Sequence, residues 1–279
     1  MPAQPLPIPS VELDENSHAF ISRIVHEKAG IVLGKGKQEL VKARLAKRIR
    51  VLGLNNVKDY VAYLKEDRTG QELRELIDVI TTNKTSFFRE PDHFDFVAET
   101  IVPALRTRST KMRFWSAGCS TGEEPYSLAI TLRENLSNVD LLDVKILATD
   151  ISNRVLAYAR KAEYTQDKME GVPESIAKRY FVEVRRENGT VWSVSKDVRE
   201  LVRFARLNLL DEWPMKGPFD VIFCRNVMIY FDKATRQTLV SRFCDYLSTG
   251  GYLIVGHSEG LSVSTRILDY VRPGIYRKP

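Results

Sequence analysis

KMRFWSAGCSTGEEPYSLAITLRENLSNVDLLDVKILATD, residues 111–150, decides the fold. A short apolar run (Met112, Phe114, Trp115) leads into a turn of small residues from Ser116 to Gly122. Apolar residues then recur with helical spacing at Tyr126, Leu128, Ala129, Ile130 and Leu132. A second apolar run, Val144 to Ala148, stops at an acid, Asp150. Strand, glycine turn, helix, strand, acid is the order of a βαβ unit that binds an adenosine-like group. Gly118 and Gly122 have no Cβ, so they admit positive φ and bring backbone N–H groups close to a ligand. An acid at the carboxyl end of the second strand accepts hydrogen bonds from both ribose hydroxyls. Read without a ligand, the same stretch is a plain α/β crossover whose glycines only make a tight turn.

Two details disfavour a dinucleotide. Gly118 and Asp150 are 32 residues apart, against roughly 20 in the dinucleotide fingerprint. Glu123 and Glu124 open the helix, where they would repel a pyrophosphate. A cationic ligand fits better, and S-adenosylmethionine combines adenosine, ribose, an amino group and a sulfonium.

Downstream, PFDVIFCRNVMIYF predicts a strand, Val221 to Cys224, whose carboxyl end carries Arg225, Asn226 and, a turn later, Tyr230. Another strand, Leu201–Leu207, ends in Asn208-Leu209. Ligands of open α/β sheets sit outside the carboxyl ends of the strands. Gly118, Asp150, Asn208 and Asn226 occupy that position on four strands, which points to one cleft. After Asp150, a helix from Ser152 to Lys161 precedes an excursion in which YFVEVRRENGTVWSVS alternates apolar and polar residues around Asn188-Gly189. That is a strong hairpin signal, and it predicts a small β insertion over residues 163–200, serving either to bind a partner or to cover the sheet. A helix over 233–247 is expected to end at a Gly250-Gly251 turn, followed by a strand from Tyr252 to Val255. ILDYVRPGIYRK then reads as a hairpin about Pro273-Gly274 that closes the sheet with an antiparallel edge.

Upstream, Ser17 is expected to cap a first helix that Gly30 stops, and Asn56 to cap a third. The second, about Gln38 to Leu52, turns Val41, Leu45, Ile49 and Leu52 inward and carries Lys42, Arg44, Lys47, Arg48 and Arg50 elsewhere. A fourth runs about Gln71 to Thr81. Residues 15–82 thus predict an all-helical domain without a convergent polar constellation, and residues 1–14 a flexible tail. In 83–110, Phe87 and Phe88 beside Arg89 mark a segment that packs, fixing Asn83, Thr85 and Arg89 at the mouth of the cleft. Residues 111–279 form the cofactor-binding domain.

Composition narrows the classes further. The net charge is +6, yet residues 21–50 hold nine Lys/Arg against two acids, an asymmetry that suits an anionic partner. The basic helix is either a solvated face or a docking surface, and it lacks the interleaved aromatics that stack nucleic-acid bases. The three cysteines (Cys119, Cys224, Cys244) lie far apart, which predicts a reducing compartment. His18, His26, His93 and His257 show no ligand spacing, so no metal is expected. No apolar run approaches the ~18–20 residues of a bilayer span, and the first 16 residues lack a secretory pattern. A cytoplasmic monomer without membrane insertion is expected.

With these residues in view, the chain resembles the chemotaxis receptor methyltransferase family, the CheR proteins. TTNKTSFFRE, FWSAGCSTGEEPYSLAI, ILATDIS, NLL, and FDVIFCRNVMIYFDK with GGYLIVGHSE match in the family's order over residues 81–260. The resemblance implies an α/β fold. Its core is a class I, Rossmann-like S-adenosylmethionine-dependent methyltransferase sheet with a β-hairpin insertion, preceded by an all-helical domain. It implies methyl transfer to glutamate γ-carboxylates on the cytoplasmic helical domain of bacterial chemoreceptors, with S-adenosylhomocysteine as product and recruitment to membrane receptor arrays. Carried over by position, cofactor contacts fall on Asn83, Thr85, Arg89, Gly118, Glu124, Asp150, Asn208, Leu209, Arg225 and Asn226. Tyr230 lies by the transferred methyl, and Arg89 orients either the substrate's carboxylate or the cofactor's. Arg44, Lys47, Arg48 and Arg50 would dock the acidic receptor helix. Family members differ in whether the β insertion grips a short receptor peptide. A nucleic-acid methyltransferase would need an NPPY-like tetrad or a Pro-Cys nucleophile where this chain has CRNVMIY. A non-catalytic adaptor would tolerate loss of cofactor contacts, all of whose types are present.

Overall fold

The computed structural model describes residues 12–107, 111–137, 139–187, 189–261 and 267–279. Most of the expected tail, and Asn188 of the expected hairpin turn, lie outside them. The chain divides into two compact units, Met1–Thr82 and Asn83–Pro279.

The first unit is helical: Glu15–Ala29, Gln38–Leu52, Val57–Glu66 and Gln71–Ile80. The first helix starts two residues before the expected cap. Asp14 accepts from Ser17 N and is the true N-cap, while Ser17 is buried inside the helix. Both residue types cap helices, and an acid at the positive end of the helix adds a favourable charge–dipole contact. Gly30 ends this helix at φ 70° and Asn56 caps the third, as the sequence predicts. Val41, Leu45 and Ile49 are buried, and Leu52 only partly so.

The second unit is built on a seven-stranded sheet and a three-stranded one. In chain order the strands are β1 (Lys111–Ala117), β2 (Asp143–Asp150), β3 (Glu163–Tyr164), β4 (Phe181–Arg186), β5 (Gly189–Val194), β6 (Val202–Arg206), β7 (Phe219–Cys224), β8 (Leu247–Val255), β9 (Asp269–Arg272) and β10 (Ile275–Arg277). The large sheet runs β6-β2-β1-β7-β8-β10-β9, and β3-β5-β4 form the small one. β6, β2, β1, β7 and β8 pair in parallel, and β10 then reverses against β8.

Successive side chains of a strand face opposite sides, so β1 seeds two cores. Phe114 joins Leu128, Ala129 and Leu132 of the helix Glu123–Asn135 in one buried cluster. Trp115, on the other side, meets Trp213 and Phe243 edge-on at ring-centroid distances of 4.8 and 5.3 Å, beneath the helix Lys233–Tyr246. With both faces covered, the parallel strands read as the continuous apolar runs seen in the sequence.

Two expectations change. Gly250-Gly251 is not a turn that precedes a strand. Both residues lie within β8, in a bulge where Phe219 pairs Leu247 while Val221 pairs Tyr252. A Cβ at Gly251 would come 2.8 Å from Ser248 O and 3.0 Å from Asp220 O. Close backbone approach, not chain reversal, requires that glycine. The β insertion is also more than a hairpin. β4 and β5 pair as expected from Phe181↔Val194 to Arg186↔Gly189, but β3 adds an edge and the helix Glu174–Tyr180 leads into β4.

Candidate active site

The rim is assembled from the carboxyl ends of the parallel strands. After β1 the chain turns at once: Gly118 N and Cys119 N both donate to Thr149 O of β2, at 2.8 and 2.9 Å. Asp150, 8% exposed, then ties three strand ends together. Its Oδ2 accepts from Ser120 N and its Oδ1 from Ser152 N, each at 2.9 Å, and its carbonyl accepts from Leu207 N beyond β6. Asn208 follows, its Oδ1 accepting from Leu210 N and its amide donating to Asp211. Leu209 is buried, and its carbonyl anchors Trp213 Nε1 and Arg242.

Gly118 and Gly122 have the expected positive φ, 88° and 96°. Their missing Cβ atoms answer to the protein itself, however. A Cβ at Gly118 would fall 2.4 Å from Val227 Cγ2, and one at Gly122 2.9 Å from Ala159 Cβ and Tyr164 Oη. Both glycines let neighbouring elements close together, a packing requirement beside the approach to a ligand that the sequence suggests.

Glu123, fully buried, accepts from Lys168 Nζ (3.0 Å) and Thr121 Oγ1 (2.6 Å). A carboxylate so placed fills the positive end of the helix and bars a phosphate from it. Glu124 points otherwise. Its Oε1 accepts from Ser116 Oγ at 2.7 Å, and its Oε2 lies 3.3 Å from Arg225 Nη1. Burial raises its pKa above the ordinary carboxylate value, against the pull of Arg225 and Ser116.

Arg225 is the hub. Its buried guanidinium joins Glu124, Glu90 (3.2 Å) and the carbonyl of Arg89, and stands over the Phe94 ring. That side chain therefore braces the 89–90 segment against β7. Arg89 itself is partly buried and donates to Lys84 O at 3.0 Å. Asn83 and Thr85 are partly buried, and Asn83 O accepts from Ser120 Oγ at 3.2 Å, which brings the 83–90 segment onto the β1 turn. Phe87 is buried edge-on against Tyr164 and Phe181, and Phe88 N donates to Ser127 Oγ.

Glu90 and Glu259 fall inside segments that carry the family resemblance, but no spacing in the sequence singles out these two, or Asp92, as site residues. Burial opposes it, but Arg225, His257 and His93 hold the Glu90 carboxyl below its usual range. Glu259, 5% exposed, accepts three backbone N–H groups around Asn226. The histidines also depart from expectation. His93 and His257, 164 residues apart in sequence, stack edge-on at 4.7 Å, and with Glu90 they bring three ligand-type atoms within 4.8 Å of one another. Arg225 already supplies the cation beside Glu90 there, and His257 Nε2 lies 3.0 Å from Asp92. Tyr230 is partly buried at the end of the short 3₁₀ turn Met228–Tyr230.

Strain gathers at this rim. Phe88, Glu90, Ser120 and Asn226 have φ of 50°, 55°, 49° and 59°, a region that costs a non-glycine residue about 1–3 kcal/mol and that recurs at functional sites. The donor set suits a cationic ligand with a ribose. Asp150 ends β2, and Glu90, Glu124 and Glu259 outnumber the nearby guanidinium groups of Arg89 and Arg225.

A parallel sheet closed by an antiparallel hairpin, with a glycine turn after β1 and an acid ending β2, fits an S-adenosylmethionine-dependent methyltransferase, and the family match shows that class. Residues 83–273 match the family described as CheR methyltransferase, SAM binding domain, and residues 18–81 match CheR methyltransferase, all-alpha domain. The chain belongs to the CheR methyltransferase family. It is 38% identical over 276 residues to the chemotaxis protein methyltransferase of Borreliella burgdorferi, covering 96% of each chain. It is 40% identical to the probable chemotaxis protein methyltransferase of Rhizobium etli, over 91% of this chain and 96% of that one. It is also 40% identical to the chemotaxis protein methyltransferase of Escherichia coli, over 87% and 83%. No helix among the described residues is long and apolar enough to cross a membrane.

In the helical unit, the four expected docking residues separate into two kinds. Arg44 donates to Ile80 O, Thr81 O (2.9 Å) and Thr82 Oγ1 (3.0 Å), closing the end of the fourth helix. Arg48 grips buried Glu72 with two bonds, at 2.9 and 2.5 Å. Lys47 and Arg50 are exposed. Two of these four residues thus also hold the domain together.

Proposed function

We propose that the chain transfers the methyl group of S-adenosylmethionine to glutamate γ-carboxylates on the cytoplasmic helical domain of chemoreceptors, forming methyl esters. One observation carries this reading beyond the family. Each rim carboxylate is engaged by fixed partners: Asp150 by two backbone N–H groups, Glu124 by Ser116 and Arg225, Glu90 by Arg225, Glu259 by three backbone N–H groups. Such groups are placed to hold and orient. That suits a substrate that arrives already ionised, as a glutamate of pKa about 4.3 does at neutral pH.

When bound, S-adenosylmethionine supplies a methyl carbon made electrophilic by its sulfonium. Asp150 would hold the ribose hydroxyls and Glu124 the ammonium, with Asn83, Thr85, Arg89, Gly118, Asn208, Leu209, Arg225 and Asn226 forming the remainder of the cleft. Arg225 would serve through its backbone, since its guanidinium is committed to Glu90, Glu124 and the Arg89 carbonyl. Arg89 would orient a carboxylate, and Tyr230 would face the sulfonium with its π surface or hydroxyl. Opposite charges cancel as the methyl moves, so excluding water and aligning the two groups supply the acceleration. Lys47 and Arg50 on the helical domain would steer the acidic receptor.

Incubation with labelled S-adenosylmethionine and receptor-rich membranes should label the receptor band, and mild alkali should release the label as methanol. Labelling that survives alkali, or labelled nucleic acid with no labelled receptor, would overturn the proposal.

A further inference from the structure

We infer that Glu259 is a positioning residue for methyl transfer: its carboxylate holds the 226–230 turn in the shape that presents Asn226 and Tyr230 to the cleft. The role rests on the reading of the cleft given above.

Its Oε2 accepts from Asn226 N at 2.5 Å and Gly256 N at 2.8 Å, and its Oε1 accepts from Ile229 N at 3.0 Å. One side chain thereby joins the exit of β7 to the exit of β8. Asn226 enters the turn at φ 59°, a left-handed conformation that the bond from its N–H to the carboxylate helps to hold. Two further features fit the role. A Cβ at Gly256 would fall 2.9 Å from Glu259 Oε2 and 2.5 Å from Asn226 Nδ2, so only glycine leaves room for the carboxylate and the amide together. Glu259 N also donates to Gly256 O at 2.8 Å, which aims the side chain back across its own loop. Three N–H donors converging on one buried group call for an acceptor at both oxygens, which a carboxylate provides and an amide does not.

Glu259→Gln therefore turns an NH₂ group toward a backbone N–H whichever way its amide lies. In the ligand-free chain, hydrogen exchange at amides 226, 229 and 256 should quicken about ten- to a hundredfold, while β1, β2 and the helical unit exchange as before. S-adenosylhomocysteine should bind more weakly by calorimetry, and kcat should fall further than KM for receptor rises. Glu259→Asp, which keeps both acceptor oxygens on a shorter arm, should lie between Gln and wild type in all three readouts. Unchanged exchange at the three amides would overturn the inference. So would exchange quickened uniformly through the unit in both variants, since that would make Glu259 a general stabiliser. Should the wild-type chain transfer no methyl ester, the proposed substrate fails, while the exchange measurement still decides on Glu259.

Discussion

Replacing Arg48 with alanine should cost the helical unit a large part of its stability. Glu72 is only 2% exposed and takes two bonds from Arg48, whose side chain is 16% exposed, and one from Tyr60 Oη at 2.8 Å. Without the guanidinium, Glu72 keeps a buried negative charge with a single neutral donor on its carboxylate. Breaking a buried pair from one side costs about 3–5 kcal/mol. A unit of this size holds roughly 4–10 kcal/mol in total at about 0.05–0.15 kcal/mol per residue. The variant should therefore unfold this unit more than about 10 °C early, read by helical circular dichroism and by hydrogen exchange in residues 15–82. Arg48→Met with Glu72→Leu removes both charges and should recover part of the loss, the remainder being the Tyr60 hydroxyl left without its acceptor. A single variant that loses less than about 1 kcal/mol would refute the reasoning, because Glu72 would then not depend on Arg48. The outcome also bears on docking: a charge reversal that includes Arg48 slows the reaction by unfolding the unit, whatever the receptor does.

Lys47→Glu with Arg50→Glu avoids that confusion. It should leave unfolding and cofactor binding unchanged and slow receptor methylation at low ionic strength, the difference shrinking as salt screens it; equal rates in dilute buffer would leave the exposed basic face without a role. Asp150→Ala should abolish calorimetric binding of S-adenosylmethionine, and Asp150→Asn, which still accepts at one oxygen, should weaken it less; unchanged binding in both would remove Asp150 from the ribose site. His93 is fully buried, and desolvation together with Arg225 lowers its pKa from 6.5 to about 4. Between those values the unfolded chain binds a proton that the folded chain refuses. Stability is thus full above pH 6.5 and falls as pH drops toward 4, by about 3 kcal/mol over the window. Urea unfolding of the second unit at pH 7 and pH 5 should show the loss, and His93→Gln should flatten it; an unaltered slope in the variant would assign the pH dependence elsewhere.

The βαβ core was legible because its signals are local. Apolar runs bounded by small residues, helical spacing from Tyr126 to Leu132 and an acid at a strand end all fall within 40 residues. The four strand-end positions at Gly118, Asp150, Asn208 and Asn226 followed from the same periodicity. What stayed hidden depends on side chains meeting across the chain. Glu259 reaches Asn226 over 33 residues, and Arg225 reaches Arg89 over 136; neither separation leaves a spacing to read. Asp14 and Ser17 are both good caps, and only the geometry chooses between them. The split of the basic helix was partly readable. Arg44 and Arg48 are four residues apart beside the buried stripe of Val41, Leu45 and Ile49, whereas Lys47 and Arg50 fall on the outer faces. The two glycines of the turn have the positive φ that the sequence implies, but their tight neighbours, Val227, Ala159 and Tyr164, lie far along the chain.

Phe87 precedes the large sheet, yet it rests on Tyr164 at 4.8 Å and Phe181 at 5.2 Å, one from each outer strand of the small sheet. The insertion is consequently no detachable accessory. Excising it to obtain a minimal enzyme would strip the wall from under the segment that carries Arg89 and leave an aromatic ring facing water. Transplanting it into another scaffold would require the phenylalanine to travel with it. Engineering of the insertion is better confined to exposed side chains of β4, such as Val182 and Arg185, rather than Phe181.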